Sequence, residues 1–119
     1  MSSVQKVVLV PRFSTFAGHY KFRSAPVNVR DMAKADLTAW RSPVGLGQDV
    51  GFHLEESIDL IVWTTVADST LAPLANAEET TSCDLEMPWI RSVVDVQDPG
   101  GDGCVVTCWL VGNFTMRDR

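Results

Sequence analysis

The sequence predicts an all-β fold: a single β-sandwich domain over residues 1–119, jelly-roll-like, with about eight strands. Three observations predict it. Short stretches rich in β-branched and aromatic residues recur along the chain. Gly, Pro, Asn and Asp clusters separate them about every eight to twelve residues. No amphipathic helix of about ten residues or more can be found. This spacing suits a sandwich or barrel rather than an alternating α/β chain.

The elements follow in order. Residues 4–16, VQKVVLVPRFSTF, make the first expected strand. Pro11 marks an edge position or a bulge within it, because proline cannot donate to a strand ladder. HYKF follows Gly18, and PVNV follows a turn at Ser24 and Ala25. DMAKAD, 31–36, reads as one helical turn or a loop, and DLTAWR, 36–41, as a strand closed by Ser42-Pro43 and Gly45-x-Gly47. VGFHLEES, 50–57, alternates, with Phe52 and Leu54 on one face and His53 and Glu55 on the other. LIVWTTV, 60–66, is nearly continuous in apolar residues and threonine and reads as a well-buried strand.

Residues 67–82 form the long irregular stretch, expected as a loop able to reach an adjacent subunit, with a short helix near 74–79 as the alternative. CDLEM, 83–87, and WIRSVVDV, 89–96, come next. In the second, Ile90, Val94 and Val96 face one way, and Trp89, Arg91 and Asp95 the other. QDPGGDG, 97–103, is the strongest turn signal, and 89–96 is expected to pair with 104–114 across it as a hairpin.

Composition narrows the function classes. Hydrophobic content of 45% supports a packed core. No apolar run approaches the length of a membrane-spanning helix, and no secretion signal is visible, so no membrane partner is expected. Both chain ends are expected to be held in a sheet or an assembly. The net charge of −5 is unevenly spread: residues 1–50 carry seven Lys/Arg and three Asp, and residues 51–119 carry three Arg and twelve Asp/Glu. Such asymmetry supports head-to-tail self-association, unless strand order interleaves the two halves. The basic residues stand singly, so nucleic acid is not an expected partner.

The three cysteines argue against a disulfide framework. Cys104 and Cys108 on one strand face would stand about 13 Å apart, beyond disulfide reach and unable to share a zinc ion. All are expected as buried thiols, with no metal and no cofactor.

Glu55-Glu56-Ser57-x-Asp59 draws attention as a carboxylate cluster. Adjacent strand residues point to opposite faces, so Glu55 and Glu56 cannot pair as acid and base. Ser57 and Asp59 are turn-formers that bond local backbone. An enzyme built on Glu55 and Asp59 would need those groups to converge in a pocket. His19 and His53 lack a nucleophile at recognisable spacing, and Gly45-x-Gly47 lacks the rest of a phosphate loop. Asp98 and Asp102 are two oxygen donors for a calcium ion, against the simpler reading of a turn. Trp40, Trp89, Arg91 and Trp109 are the candidate interface or ligand residues, with Trp89 and Trp109 assigned to an outer face.

EESIDLIVWTT followed by MPWIRSVVDV resembles the discoidin-type, galactose-binding-like β-sandwich pattern, through Ser57, Asp59 and Trp63, then Trp89, Ile90 and Arg91. The chain departs from that family in lacking a terminal cysteine pair and ligand-binding spike loops. These stretches also resemble small jelly-roll proteins of bacteriophage particles. The resemblances imply a sandwich. Together with the absence of catalytic motifs, the charge split and the expected order of both chain ends, the phage resemblance points to a non-enzymatic virion structural protein, either capsid decoration or cement or tail-associated, assembled in the host cytoplasm. Its partners would be copies of itself and other virion proteins, through the outer aromatic face and the long first strand. Removing residues 1–10 is then expected to block assembly and leave a folded monomer. The alternative is a carbohydrate-binding module of galactose-binding-like type, with a glycan as partner.

Overall fold

The computed structural model describes residues 4–117. Residues 1–3 and 118–119 lie outside it, and with them the expectation about the extreme chain ends. Among the described residues there are nine strands: β1 (Val4–Ala17), β2 (Tyr20–Arg23), β3 (Val27–Asn28), β4 (Met32–Arg41), β5 (Asp49–Ser57), β6 (Thr64–Thr65), β7 (Glu78–Asp84), β8 (Trp89–Gln97) and β9 (Val105–Met116). One sheet runs β1-β9-β4-β7, and the other β2-β8-β5-β6 with β3 also on β8. Since β2 and β3 share one lane beside β8, the sandwich has eight lanes, four per sheet. Every ladder is antiparallel, and the partners nest: β1 with β9, β2 and β3 with β8, β4 with β7, β5 with β6. That is the jelly-roll winding of one long antiparallel ribbon.

The core lies between the sheets. Ala35, Leu37 and Ala39 of β4 and Val106, Cys108, Leu110 and Phe114 of β9 meet Val50, Phe52 and Leu54 of β5 and Ile90, Val94 and Val96 of β8. The period-2 alternation read in 50–57 and 89–96 places these faces as expected. All three cysteines are buried free thiols. Burial pushes Cys83 up to about 11, with Asp84 and Glu56 adding, and Cys108 up to about 12.

Four expectations are corrected. Residues 31–36 are not a helical turn; β4 begins at Met32, because β9 on one side and β7 on the other both offer it ladders. Residues 60–66 are not a buried strand: Leu60, Ile61 and Val62 lie in an exposed turn, the strand is only Thr64–Thr65, and of the run Val66 alone is buried, its amide bonding the Leu54 carbonyl at 2.9 Å. Residues 67–82 are a loop only as far as the start of β7 at Glu78. That loop folds back on its own chain, with Leu71 buried and bridged to Phe52 in both directions at 2.8 Å. Finally, 89–96 and 104–114 do not form a hairpin: β8 and β9 lie in different sheets, and the turn between them carries the chain across the sandwich.

That crossing is built on Asp98. Its carboxylate accepts from the amides of Asp102 (3.3 Å), Gly103 (2.8 Å) and Cys104 (3.0 Å) and from Gln48 Nε2 (3.2 Å). The Asp98 amide donates to His19 Nδ1 at 2.7 Å. Gly101 and Gly103 take φ of 69° and 90°, which the turn requires and which glycine adopts without strain.

The bulge forecast at Pro11 is present. Val10 opposes Leu110 and Ser14 opposes Cys108, so Pro11, Arg12 and Phe13 together face Trp109. Phe13 has φ of 63° and turns its ring outward, while the Arg12 guanidinium lies 4.5 Å from the Trp109 ring centre. Leu9 and Val10 of this strand are buried. Removing residues 1–10 would therefore take out core side chains and ladder bonds, and the folded monomer expected from it does not follow.

Gly112 sits mid-strand in β9 where Phe114 and Leu37 close over it. A Cβ there would collide with the Phe114 ring and come within 3.2 Å of Leu37 Cδ2. Gly112→Ala should overpack the core and cost about 1–3 kcal/mol, read as a lowered denaturant midpoint at unchanged slope. A midpoint equal to the wild type would refute this packing.

Candidate interaction surface

The end of β5 organises one end of the sandwich, and each of its last residues acts on a different neighbour. Glu55 faces outward, where its Oε1 accepts from Arg91 Nε at 2.7 Å and from Arg23 Nε at 3.4 Å. Arg91 in turn lies over the Trp63 ring, 4.2 Å from its centre. Partial burial pushes the Glu55 carboxyl up, but Arg91's hydrogen bond and charge, aided by Arg23, outweigh it and hold it below the ordinary value. Next along the outer face of β5, His53 is shifted down, first by burial, with Glu55 opposing. Glu56 faces inward, where its Oε1 accepts from the amides of Glu86 (3.1 Å) and Met87 (3.2 Å) and so fixes the connection from β7 to β8.

Ser57 and Asp59 shape the loop that follows. Buried Ser57 Oγ accepts from the amide of Leu60 at 2.9 Å and that of Asp59 at 3.3 Å. Asp59 Oδ1 accepts from the amides of Ile61 and Val62, each at 2.9 Å. Those amides, Val62 first, are the main reason its pKa falls below the ordinary value. Leu60 is held at φ of 67°, and Trp63 Nε1 donates to its carbonyl at 3.3 Å. The four amides of residues 59–62 thus each have an acceptor on Ser57 or Asp59, yet Ile58, Ile61 and Val62 are 71, 81 and 67% exposed. A shallow depression of about 130 Å³ lies among Ile58, Asp59, Val62, Thr64 and Met87.

The turn-forming reading of Ser57 and Asp59 therefore describes what these residues do, and Glu55 and Glu56 lie on opposite faces as expected. Glu55 and Asp59 do not converge in that depression, and each carboxylate is engaged by donors of its own chain. Among the described residues no group of three or more His, Cys, Asp or Glu is placed to hold a metal. Asp98 spends its oxygens on the crossing turn, and Asp102 supplies its amide there rather than a paired carboxylate.

The four residues singled out for an interface fall in two places. Trp40 and Trp109 are cross-strand partners on the outer face of the β1-β9-β4-β7 sheet. Trp109 is only 5% exposed, because Arg12 of its own chain covers it. Trp89 and Arg91 stand on the outer face of the other sheet, opposite Ser57 and Glu55. A run of exposed apolar side chains lies instead at 58–62, overlapping the first residues of the 60–66 stretch expected to be a buried strand, while other exposed hydrophobics such as Phe13, Leu46 and Leu74 are scattered elsewhere. The signal was present: a Ser-x-Asp pair that captures forward amides turns the following apolar residues into a loop.

Asp59→Ala should free the amides of Ile61 and Val62. Their hydrogen exchange should accelerate several-fold and Trp63 emission should change, while the melting temperature moves little. Unchanged exchange would mean that another contact holds the loop. Acid should also find these carboxylates. At Asp98 burial pushes the pKa up, but the Gly103 amide, Gln48 and the other donors outweigh it, so the net shift is down. Groups with depressed folded-state values contribute stability that is full above the unfolded value of about 3.9 and is lost as pH falls through the folded one. Melting temperature should fall below about pH 4, and Asp98→Asn should flatten that acid limb. An identical pH profile in the variant would defeat the assignment.

No family model matches the sequence, and no curated protein matches it. Solved structures do match. T=1 particles derived from infectious bursal virus align with a TM-score of 0.65 at 12% identity, over 98% of this chain and 32% of theirs. The infectious bursal disease virus VP2 subviral particle gives 0.65 at 10% identity, over 98% and 33%. The PBSX exported protein XepA gives 0.55 at 13% identity, over 100% and 38%. At these identities the likeness is one of fold, and this chain spans about a third of each neighbour's length.

Proposed function

We propose that the chain is a non-enzymatic structural subunit of a virion. It would serve as a capsid decoration, cement or tail-associated protein that joins copies of itself and neighbouring virion proteins. The observation that carries this reading is the apolar loop at 58–63, exposed and held by hydrogen bonds from its own amides to Ser57 and Asp59. An exposed aliphatic cluster held in one conformation suits a partner surface, since the ordering cost of the loop is met before contact. The particle-forming neighbours of like fold support the same reading. So does the fate of the acidic groups, since Glu55, Glu56, Asp59 and Asp98 each hold their own chain together. The carbohydrate-module alternative gains less support, because Arg91 covers a face of Trp63 and Arg12 a face of Trp109.

Light scattering across a concentration series tests the reading. The wild type should show a mass above the monomer. Ile61→Asp with Val62→Asp should shift it toward the monomer with about 100-fold weaker association and an unchanged melting temperature, as for loss of a buried hot spot. A wild type that stays monomeric at every concentration, or a monomer that binds sugar on a glycan array, overturns it.

A further inference from the structure

The two lateral edges of the sandwich carry opposite charge, and we propose that they bind each other between copies of this chain. The inference rests on the structural-subunit reading and names the surfaces by which copies would meet. Residues 1–30 contain five Lys/Arg and no Asp/Glu, and residues 59–90 contain six Asp/Glu and no Lys/Arg. The winding sends their described parts to opposite sides. β1 ends one sheet and β2 the other on the first side, where Phe16 and Phe22 meet at 5.0 Å between them. β7 and β6 end the same two sheets on the far side, where Thr81 Oγ1 of β7 donates to the Asp68 carbonyl just after β6 at 2.9 Å. Strand order does interleave the halves of the chain within each sheet, so the faces are mixed. The edges are not.

The charges at both edges are exposed. Lys6, Lys21 and Arg30 make no ion pair among the described residues, and neither do Glu78, Asp84 and Glu86. The nearest opposing groups are few. Arg23 is engaged by Glu55, and Lys21 lies opposite Asp95 in register. On the far side Lys34 of β4 lies opposite Asp84 in register and 4.0 Å from Asp36, and Arg41 donates to the Pro73 carbonyl.

Geometry favours a single partner, a second copy. Among the described residues β1 and β7 are the outer strands of one sheet, each laddered to a single neighbouring strand. Three antiparallel steps separate them, from β1 to β9, to β4, to β7, so β1 runs antiparallel to β7. A neighbour placed alongside without being turned over therefore brings its β1 antiparallel to this chain's β7. Unlike edges meet, so the contact is heterologous and propagates into a ring if the rotation closes, or a strip if it does not. The bulge at Pro11–Phe13 confines ladder-like contact to the first part of β1.

The experiment uses the full chain and two charge-reversed variants, Lys6→Glu with Lys21→Glu and Glu78→Lys with Asp84→Lys. All four side chains are exposed, and each variant's melting temperature is checked against the wild type. Association is measured by light scattering at ~0.05 and ~0.5 M salt. The wild type should associate more weakly at high salt. Each variant alone should associate roughly 100-fold more weakly, because like charges are then apposed. Mixing the two should restore wild-type mass, since acidic edges again meet basic ones. Variants that associate like the wild type, a mixture no better than its components, or salt-insensitive association would each overturn the edge pairing and leave the structural-subunit reading standing. A wild type monomeric under all conditions would remove both.

Discussion

Antiparallel hydrogen bonding along one wound ribbon is the constraint from which the rest of this molecule follows. Once β1 pairs with β9, β2 and β3 with β8, β4 with β7 and β5 with β6, every other position is decided. The apolar alternation of β4, β5, β8 and β9 is enclosed between sheets. Residues 4–30 line one edge, and the segment from Asp59 to Glu86 the other. Connections sort to two ends: 58–63 and 85–88 meet through Glu56 and Met87, while 18–19, 42–48 and 98–104 meet through His19, Gln48 and Asp98. No local preference of any loop produces this sorting; the ladder order does.

The end of β5 shows how a short polar stretch serves such a scaffold. Strand pleat sends Glu55 out and Glu56 in, so the two carboxylates act on different partners though adjacent in sequence. Glu55 gathers Arg91 and Arg23 on the outer face, Glu56 binds two amides of the next connection, and Ser57 and Asp59 wind the loop. Buried polar groups persist only where partners are supplied, and among the described residues no buried side-chain nitrogen or oxygen is left without one. A stretch that looks reactive in sequence is, in structure, a junction.

What was legible in the sequence was whatever depends on near neighbours. The alternation in 50–57 and 89–96, the bulge at Pro11, the turn at Asp98 and the Ser57–Asp59 cap all lie within a few residues of their causes. The misses depend on distant strands. Met32–Asp36 became strand because β7 and β9 flank it, against a locally ambiguous composition. Glu78–Ser82, polar enough to pass for loop, is a one-sided edge strand on β4. The expected β8–β9 hairpin failed because a Gly-rich turn serves equally well to cross between sheets. The apolar run at 60–62 was misread because hydrophobicity was weighed above the cap that precedes it. Of the candidate surface, the tryptophans were visible as residues, but their cover by Arg12 and Arg91 was not.

The two surfaces described differ in the force that would join them, and this makes them separable. The loop at 58–63 offers aliphatic area: each Val, Leu or Ile side chain fully buried is worth about 1.5–3 kcal/mol, with little dependence on salt. Because Ser57 and Asp59 already hold the backbone, contact would not incur the roughly 1–2 kcal/mol per residue that ordering a mobile loop costs. The edges offer charge, which steers encounter and fixes which edge meets which, and which screens within about 10 Å at ordinary salt. A molecule with both would have a contact for strength at its end and contacts for register along its sides. Lateral order among copies would then respond to ionic strength, while attachment through the end loop would not.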